Sequence, residues 1–155
     1  MVLKKEQVIS DTLEDGKLMA VRHANGRDWW VLKRTAFTSK YYKFLLSPNG
    51  VSVVDTQQIG EPLRTGLGQA IFSPNGQYYA QIHAISFNEG TYIDIYNFDR
   101  CLGELHQIER IHYSENAGSA GAAFSPNSRY LYISCLLYTS PSPRDRTRSR
   151  MPSSA

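Results

Sequence analysis

Short apolar runs separated by turn residues fill this chain and recur in one pattern. Residues 18–32, 69–80 and 122–133 each hold an apolar strand, a turn containing asparagine, and a second apolar or aromatic strand. Tyr92-Ile93-Asp94-Ile95-Tyr96 alternates apolar with polar or aromatic positions, as a strand packed on one face does. The pattern predicts strands near residues 17–23, 28–34, 41–47 and 50–57, then near 68–73, 77–85, 91–97 and 105–113. A third unit shows only its first two strands. Residues 1–15 carry several charges and no clear period, and read as the outer strand of a preceding unit or a frayed end.

The turns set the spacing. Asn25-Gly26, Pro74-Asn75-Gly76 and Pro126-Asn127 lie between paired runs, with 50 residues from Asn25 to Asn75 and 52 from Asn75 to Asn127. Proline presets φ, and Asn and Gly tolerate positive φ, so the chain can reverse there. A fixed repeat of roughly 40 to 50 residues built from short strands is the mark of β-propeller blades. A further turn, Pro48-Asn49-Gly50, falls half a period out and reads as the later turn of the first blade. The expected fold is therefore all-β, a partial β-propeller of four-stranded antiparallel blades with a disordered C-terminal tail. Its divisions are a lead-in (1–16), a first blade (17–60), a second (66–117), the first hairpin of a third (118–134) and the tail (135–155).

Residues 72–76, 124–127 and 93–99 carry a Phe-Ser-Pro-Asn turn followed by an apolar strand and an aromatic-Asp strand. In this the chain resembles bacterial WD40-like propeller repeats over most of residues 17–134. It departs from them in lacking a Trp-Asp dipeptide, in carrying Ser128 where Gly is usual, and in having His23-Ala24 in place of Ser-Pro. The resemblance implies a parent protein exported to the periplasm or the cell exterior.

Charge changes the picture only at the C-terminus. Residues 135–145 and 149–155 read, in one frame, as the translation of a library-preparation adapter, with three residues between them for a sample index. The expectation is that residues 135–155 are not native and do not pack. Four of the 17 basic residues and one of the 14 acidic ones fall after Ser134, so the segment before it is neutral and the net +3 belongs to the tail. Without a basic patch, no nucleic-acid or anionic-membrane partner is expected. No apolar run approaches the roughly 18 residues that a membrane span needs. Cys101 alone remains before the tail, too little to form a disulfide or to read a compartment.

Candidate chemistry is sparse. The segments leading into the innermost strands, Gly66-Leu67-Gly68-Gln69 and Ala117-Gly118-Ser119-Ala120-Gly121, contain no His, Asp, Glu or Cys, which argues against a metal-centred hydrolase. Glu14-Asp15-Gly16 offers paired carboxylates and reads as a solvated turn. Gly66-Leu67-Gly68 lacks the following helix of a phosphate loop and reads as a close-packed strand start. His23, His83, His106 and His112 stand singly without ligand spacing, so each reads as a turn or strand-face residue. Cys101, in a loop between outer strands, has no nucleophile context. Adjacent Trp29 and Trp30 point to opposite faces, so one enters the contact between blades. The tyrosines are read as packing residues. No catalytic, cofactor-binding or metal-binding residue is assigned.

The expected role is a non-catalytic propeller segment, a binding or structural scaffold for a protein or small-molecule ligand. The alternative is part of a propeller hydrolase or lactonase whose active site lies on blades outside this segment. Open blade ends expose apolar faces and strand edges and are expected to self-associate.

Overall fold

The computed structural model describes residues 7–64, 66–86, 89–113 and 117–137. The ten strands among them form three antiparallel sheets. The first comprises β1 (Met19–Arg22), β2 (Trp29–Arg34), β3 (Lys40–Ser47) and β4 (Gly50–Gln58), side by side in chain order. The second repeats this with β5 (Ala70–Phe72), β6 (Tyr78–Ser86), β7 (Gly90–Asp99) and β8 (Glu104–Tyr113). The third is the hairpin of β9 (Ala117–Phe124) and β10 (Leu131–Leu137). Helix is absent from the described residues, and nothing there is long and apolar enough to cross a membrane as a helix.

The first and second sheets pack face to face. Val21, Trp30, Leu32 and Tyr41 from one side meet Ala70, Tyr79, Tyr96, Phe98 and Leu105 from the other. The alternation of a strand separates the two tryptophans: Trp30 is buried in this core and Trp29 is on the opposite face. The tyrosines Tyr41, Tyr79 and Tyr96 meet edge-on or tilted at centroid distances of 6.0 to 6.3 Å, an arrangement that adds to the burial of apolar ring area.

The three inner turns are copies of one device. In each, the asparagine side chain accepts the backbone N–H two residues on: Asn25 from Arg27, Asn75 from Gln77, Asn127 from Arg129. An asparagine is suited to this because its amide oxygen can imitate a backbone carbonyl. The next residue is left-handed, Gly26 at φ 74°, Gly76 at φ 71° and Ser128 at φ 59°. Ser128 holds that conformation without glycine's freedom, and its Oγ accepts the Asn75 N–H at 3.2 Å, tying two successive turns together. The turn at Pro48-Asn49 is different, a two-residue link that pairs Ser47 with Gly50 between the third and fourth strands.

Four details differ from the sequence reading. Residues 12–14 run beside the end of β2, with Leu13 bridging Thr35, so the lead-in joins the first sheet. Residues 117–121, expected as an approach loop, belong to β9. Asp94 was placed on a strand packed on one face, but the second sheet is covered on both, and Asp94 is fully buried. Strand β10 runs three residues past Ser134, through a bulge, to Leu137. The rest of the tail, 138–155, lies outside the described residues, and so does the disorder expected of it.

Candidate buried polar site between the first two sheets

At the end of the sheets opposite the asparagine turns, charged side chains fill the gap between the first and second sheets. Their positions follow from register. Gln81, Asp94 and Arg110 lie in one row across β6, β7 and β8, and His83 lies two residues further along β6, on the same face. Arg34 comes from the end of β2. Glu14 comes from the lead-in, which pairs with that end through the Glu14 N–H to Arg34 carbonyl bond. Gly16 and Lys17 both take positive φ, 58° and 51°, and this kink brings the Lys17 ammonium within 2.7 Å of Glu14 Oε1 and 2.9 Å of the Gly66 carbonyl.

Glu14 is the hub. One carboxylate oxygen meets Lys17 Nζ at 2.7 Å and His83 Nδ1 at 2.9 Å, and the other accepts Gln81 Nε2 at 2.6 Å. Gln81 accepts in turn from the Tyr41 hydroxyl at 2.5 Å. On the far side of the imidazole, Arg34 Nη1 stands 3.2 Å from His83 Nε2. A guanidinium can only donate, so Nε2 is the acceptor and the proton sits on Nδ1, which faces Glu14 Oε1 at 2.9 Å, closer than the Lys17 ammonium at 3.3 Å. Asp94 takes both Nε and Nη2 of Arg110, at 2.5 and 2.8 Å, and lies 3.9 Å from Arg34. Arg110 Nη1 then reaches the exposed Glu61 carboxylate at 2.7 Å. Three carboxylates, Glu14, Asp94 and Glu61, thus balance three cations, Lys17, Arg34 and Arg110.

Burial sets the protonation states. The His83 pKa is lowered, chiefly because burial penalises its charged form and also because Lys17 and Arg34 stand nearby; the Glu14 hydrogen bond only partly opposes this. Burial alone would raise the Glu14 pKa, but donors from His83 and Lys17 outweigh it and hold the carboxyl below its ordinary range. Tyr41 and Tyr79 are pushed up by burial, and Tyr96 to about 12. Unfolded chains take up a proton on His83 below its ordinary 6.5 and on Glu14 below 4.5, where the folded protein does not, so stability falls with pH through both values. Urea unfolding from pH 7.5 to 4 is expected to show a falling midpoint that begins near 6.5 and steepens below 4.5. A midpoint independent of pH in this range would contradict the assignment.

The sequence reading missed this cluster. It took Glu14 as part of a solvated turn, but Glu14 is 4% exposed while Asp15 is exposed. It took His83 as a lone histidine, but His83 is fully buried between Glu14 and Arg34. The other histidines lie apart from the cluster. His23 stacks on Trp30 at 5.3 Å, His112 stacks on Tyr92 at 4.2 Å, and His106 is exposed beside Glu104. Cys101 is an exposed free thiol. Among the described residues, no group of three or more His, Cys, Asp or Glu is placed to hold a metal ion.

Two grooves of the described surface are lined by other residues. One of about 420 Å³ lies between the second sheet and the β9–β10 hairpin, against Tyr78, Ile95, Phe124, Arg129 and Tyr130. Another of about 440 Å³ follows the hairpin past Gln69, Ala122 and Tyr132.

No protein-family model and no curated protein matches the chain. Solved structures do. A candidate 6-phosphogluconolactonase from Bacteroides fragilis aligns with 74% of this chain at 15% identity and a TM-score of 0.55. A second, from Bacteroides uniformis, aligns with 77% at 23% identity and 0.54, and a protein from Lactobacillus plantarum with 79% at 19% identity and 0.52. The antiparallel four-stranded sheets are of propeller type. The chain spans 30 to 34% of the length of these structures, and at such identities the likeness is one of fold alone.

Proposed function

We propose that this chain is a propeller segment with a scaffold role, presenting turns and inter-sheet grooves to a protein or small-molecule ligand without itself carrying catalytic groups. One observation carries the reading: the buried charged groups between the first two sheets are satisfied by one another. His83, the obvious general base, has a carboxylate on one nitrogen and a guanidinium on the other, and a base needs a free nitrogen within reach of the substrate proton. The rigidity of the opposite rim supports the same role. The Arg100 carbonyl accepts from Ala24 N–H and Trp30 Nε1, and the Arg100 guanidinium donates to the Asn75 carbonyl. Asn75 N–H then donates to Ser128, so the turns of all three sheets form one hydrogen-bonded edge.

The second reading, part of a lactonase or hydrolase, draws on the fold likeness to candidate 6-phosphogluconolactonases. Hydrolysis of 6-phosphogluconolactone tests whether this segment itself carries catalytic groups. The 155-residue chain is expected to leave the spontaneous rate unchanged. A rate above background that disappears in His83→Gln, with the variant still folded, would overturn the scaffold reading.

A further inference from the structure

Three Asn-Gly pairs stand in turns at one end of the sheets, Asn25-Gly26 and Asn49-Gly50 on the first and Asn75-Gly76 on the second. An asparagine followed by glycine carries a latent reaction, because glycine has no side chain to keep its backbone nitrogen away from the asparagine amide carbon. The reaction runs only where that amide is free to swing towards the nitrogen, and in this the three pairs differ.

Two of the amides are tied. Asn25 Oδ1 accepts the N–H groups of Arg27 and Asp28, both at 3.0 Å, and its Nδ2 donates to the buried Asp28 carboxylate at 2.7 Å. Asn75 Oδ1 accepts from Gln77 N–H at 3.0 Å and from Ser73 Oγ at 2.7 Å, and its Nδ2 donates to Gln77 Oε1 at 2.9 Å. Gly76 is also buried, and a Cβ there would lie 2.7 Å from Arg100 Cδ and 2.9 Å from Val21 Cγ2. The third amide is loose. Asn49 is exposed, and among the described residues its side chain has no hydrogen-bond partner; only its backbone N–H is held, by Ser47 Oγ at 3.3 Å. Around Gly50 there is open space, since a Cβ there would meet nothing within 4 Å. The turn lies beyond the paired residues of β3 and β4, at the rim of the first sheet and not on a packing face.

We propose that Asn49-Gly50 is a site of spontaneous covalent modification by deamidation, and that the hydrogen bonds of their turns protect Asn25-Gly26 and Asn75-Gly76. The Gly50 nitrogen attacks Asn49 Cγ and a C–N bond forms. The side-chain nitrogen leaves as ammonia, taking the Gly50 N–H proton with it. Water then opens the five-membered succinimide at one of its two carbonyls. One opening leaves aspartate in place of Asn49. The other leaves isoaspartate, in which the backbone runs through the side chain and is one carbon longer between β3 and β4. Nothing is oxidised or reduced, and water is the only co-reactant. In the tied pairs the amide must first give up three hydrogen bonds, each worth roughly two- to tenfold in an equilibrium, which slows the reaction by about tenfold or more. The proposal holds whether the chain is a scaffold or an enzyme.

Mass spectrometry of the full chain, held at pH 8 and 37 °C and digested at intervals, tests it. The peptide containing Asn49 is expected to gain one dalton and to split into two products, at least tenfold faster than the peptides containing Asn25 and Asn75. In guanidinium chloride, with the chain unfolded, the three rates are expected to come within tenfold of one another, because the turns that hold Asn25 and Asn75 are gone. Asn49→Gln is expected to remove the fast product. Three results would overturn the proposal: Asn49 converting less than tenfold faster than Asn25 or Asn75 in the folded chain, a tenfold excess at Asn49 that persists in guanidinium chloride and so belongs to local sequence, or a fast one-dalton gain that survives Asn49→Gln.

Discussion

Asp94→Ala is expected to destabilise the protein by about 3 to 5 kcal/mol, the cost of removing one partner from a buried ion pair. Asp94 is fully buried and takes two hydrogen bonds from Arg110, with Arg34 at 3.9 Å. Without it two guanidiniums face each other across the gap, and arginine cannot escape by losing a proton. The only other buried carboxylate of the cluster, Glu14, is already engaged by Lys17, His83 and Gln81. Urea unfolding measures the loss. The double change Asp94→Leu with Arg110→Leu is expected to recover part of it, because charge and counter-charge leave together. A loss below about 1 kcal/mol for Asp94→Ala would mean that Asp94 behaves as a surface carboxylate.

Gly68→Ala is expected to cost at least about 3 kcal/mol, from backbone strain and overpacking together. Gly68 has φ 142°, and a Cβ there would lie 2.1 Å from the Ile82 carbonyl oxygen and 2.8 Å from its carbon. Those atoms are backbone, so no side chain can turn aside. The clash falls where Ala84 N–H meets the Leu67 carbonyl and Ile82 N–H meets the Gln69 carbonyl, the bonds that extend β5 beside β6. The thermal midpoint is expected to drop by several degrees, as such a loss does in a domain of this size. Gly16→Ala provides the contrast, because Gly16 also has positive φ, 58°, but a Cβ there meets nothing within 4 Å. Its smaller cost would isolate the strain from the clash, and equal costs would contradict the packing argument.

The strands and their grouping were legible because two signals agree. The asparagine turns repeat at a fixed spacing, and each turn's geometry depends on a residue type that sequence displays directly. The split of Trp29 from Trp30 needed only the alternation of a strand. The buried cluster was not legible, for a physical reason. Alternation separates inside from outside only when one face of a sheet meets water, and here both faces of the second sheet are covered, so Gln81, His83 and Asp94 look like solvent-facing residues while being fully buried. Glu14 and Lys17 gave still less warning, since their burial depends on the kink at Gly16 and Lys17 and on partners 66 to 69 residues away, at Gln81 and His83. A usable signal was present in the period itself. Fifty residues before His83 and Gln81 stand Lys33 and Val31, and before Asp94 stands Phe44, so the repeat replaces two apolar residues with polar ones at positions where it otherwise keeps apolar or aromatic side chains.

His83 is held as a neutral imidazole between the first two sheets, with Glu14 on one ring nitrogen and Arg34 on the other. Long-range ¹H–¹⁵N correlation spectra of its ring, recorded from pH 7.5 to 5.5, test this most directly. The expected result is a neutral ring with its proton on Nδ1 and a bare Nε2, which takes up a second proton only below the ordinary 6.5. A ring protonated on Nε2, or an imidazolium forming near the ordinary value of 6.5, would show a histidine open to solvent and would contradict the account.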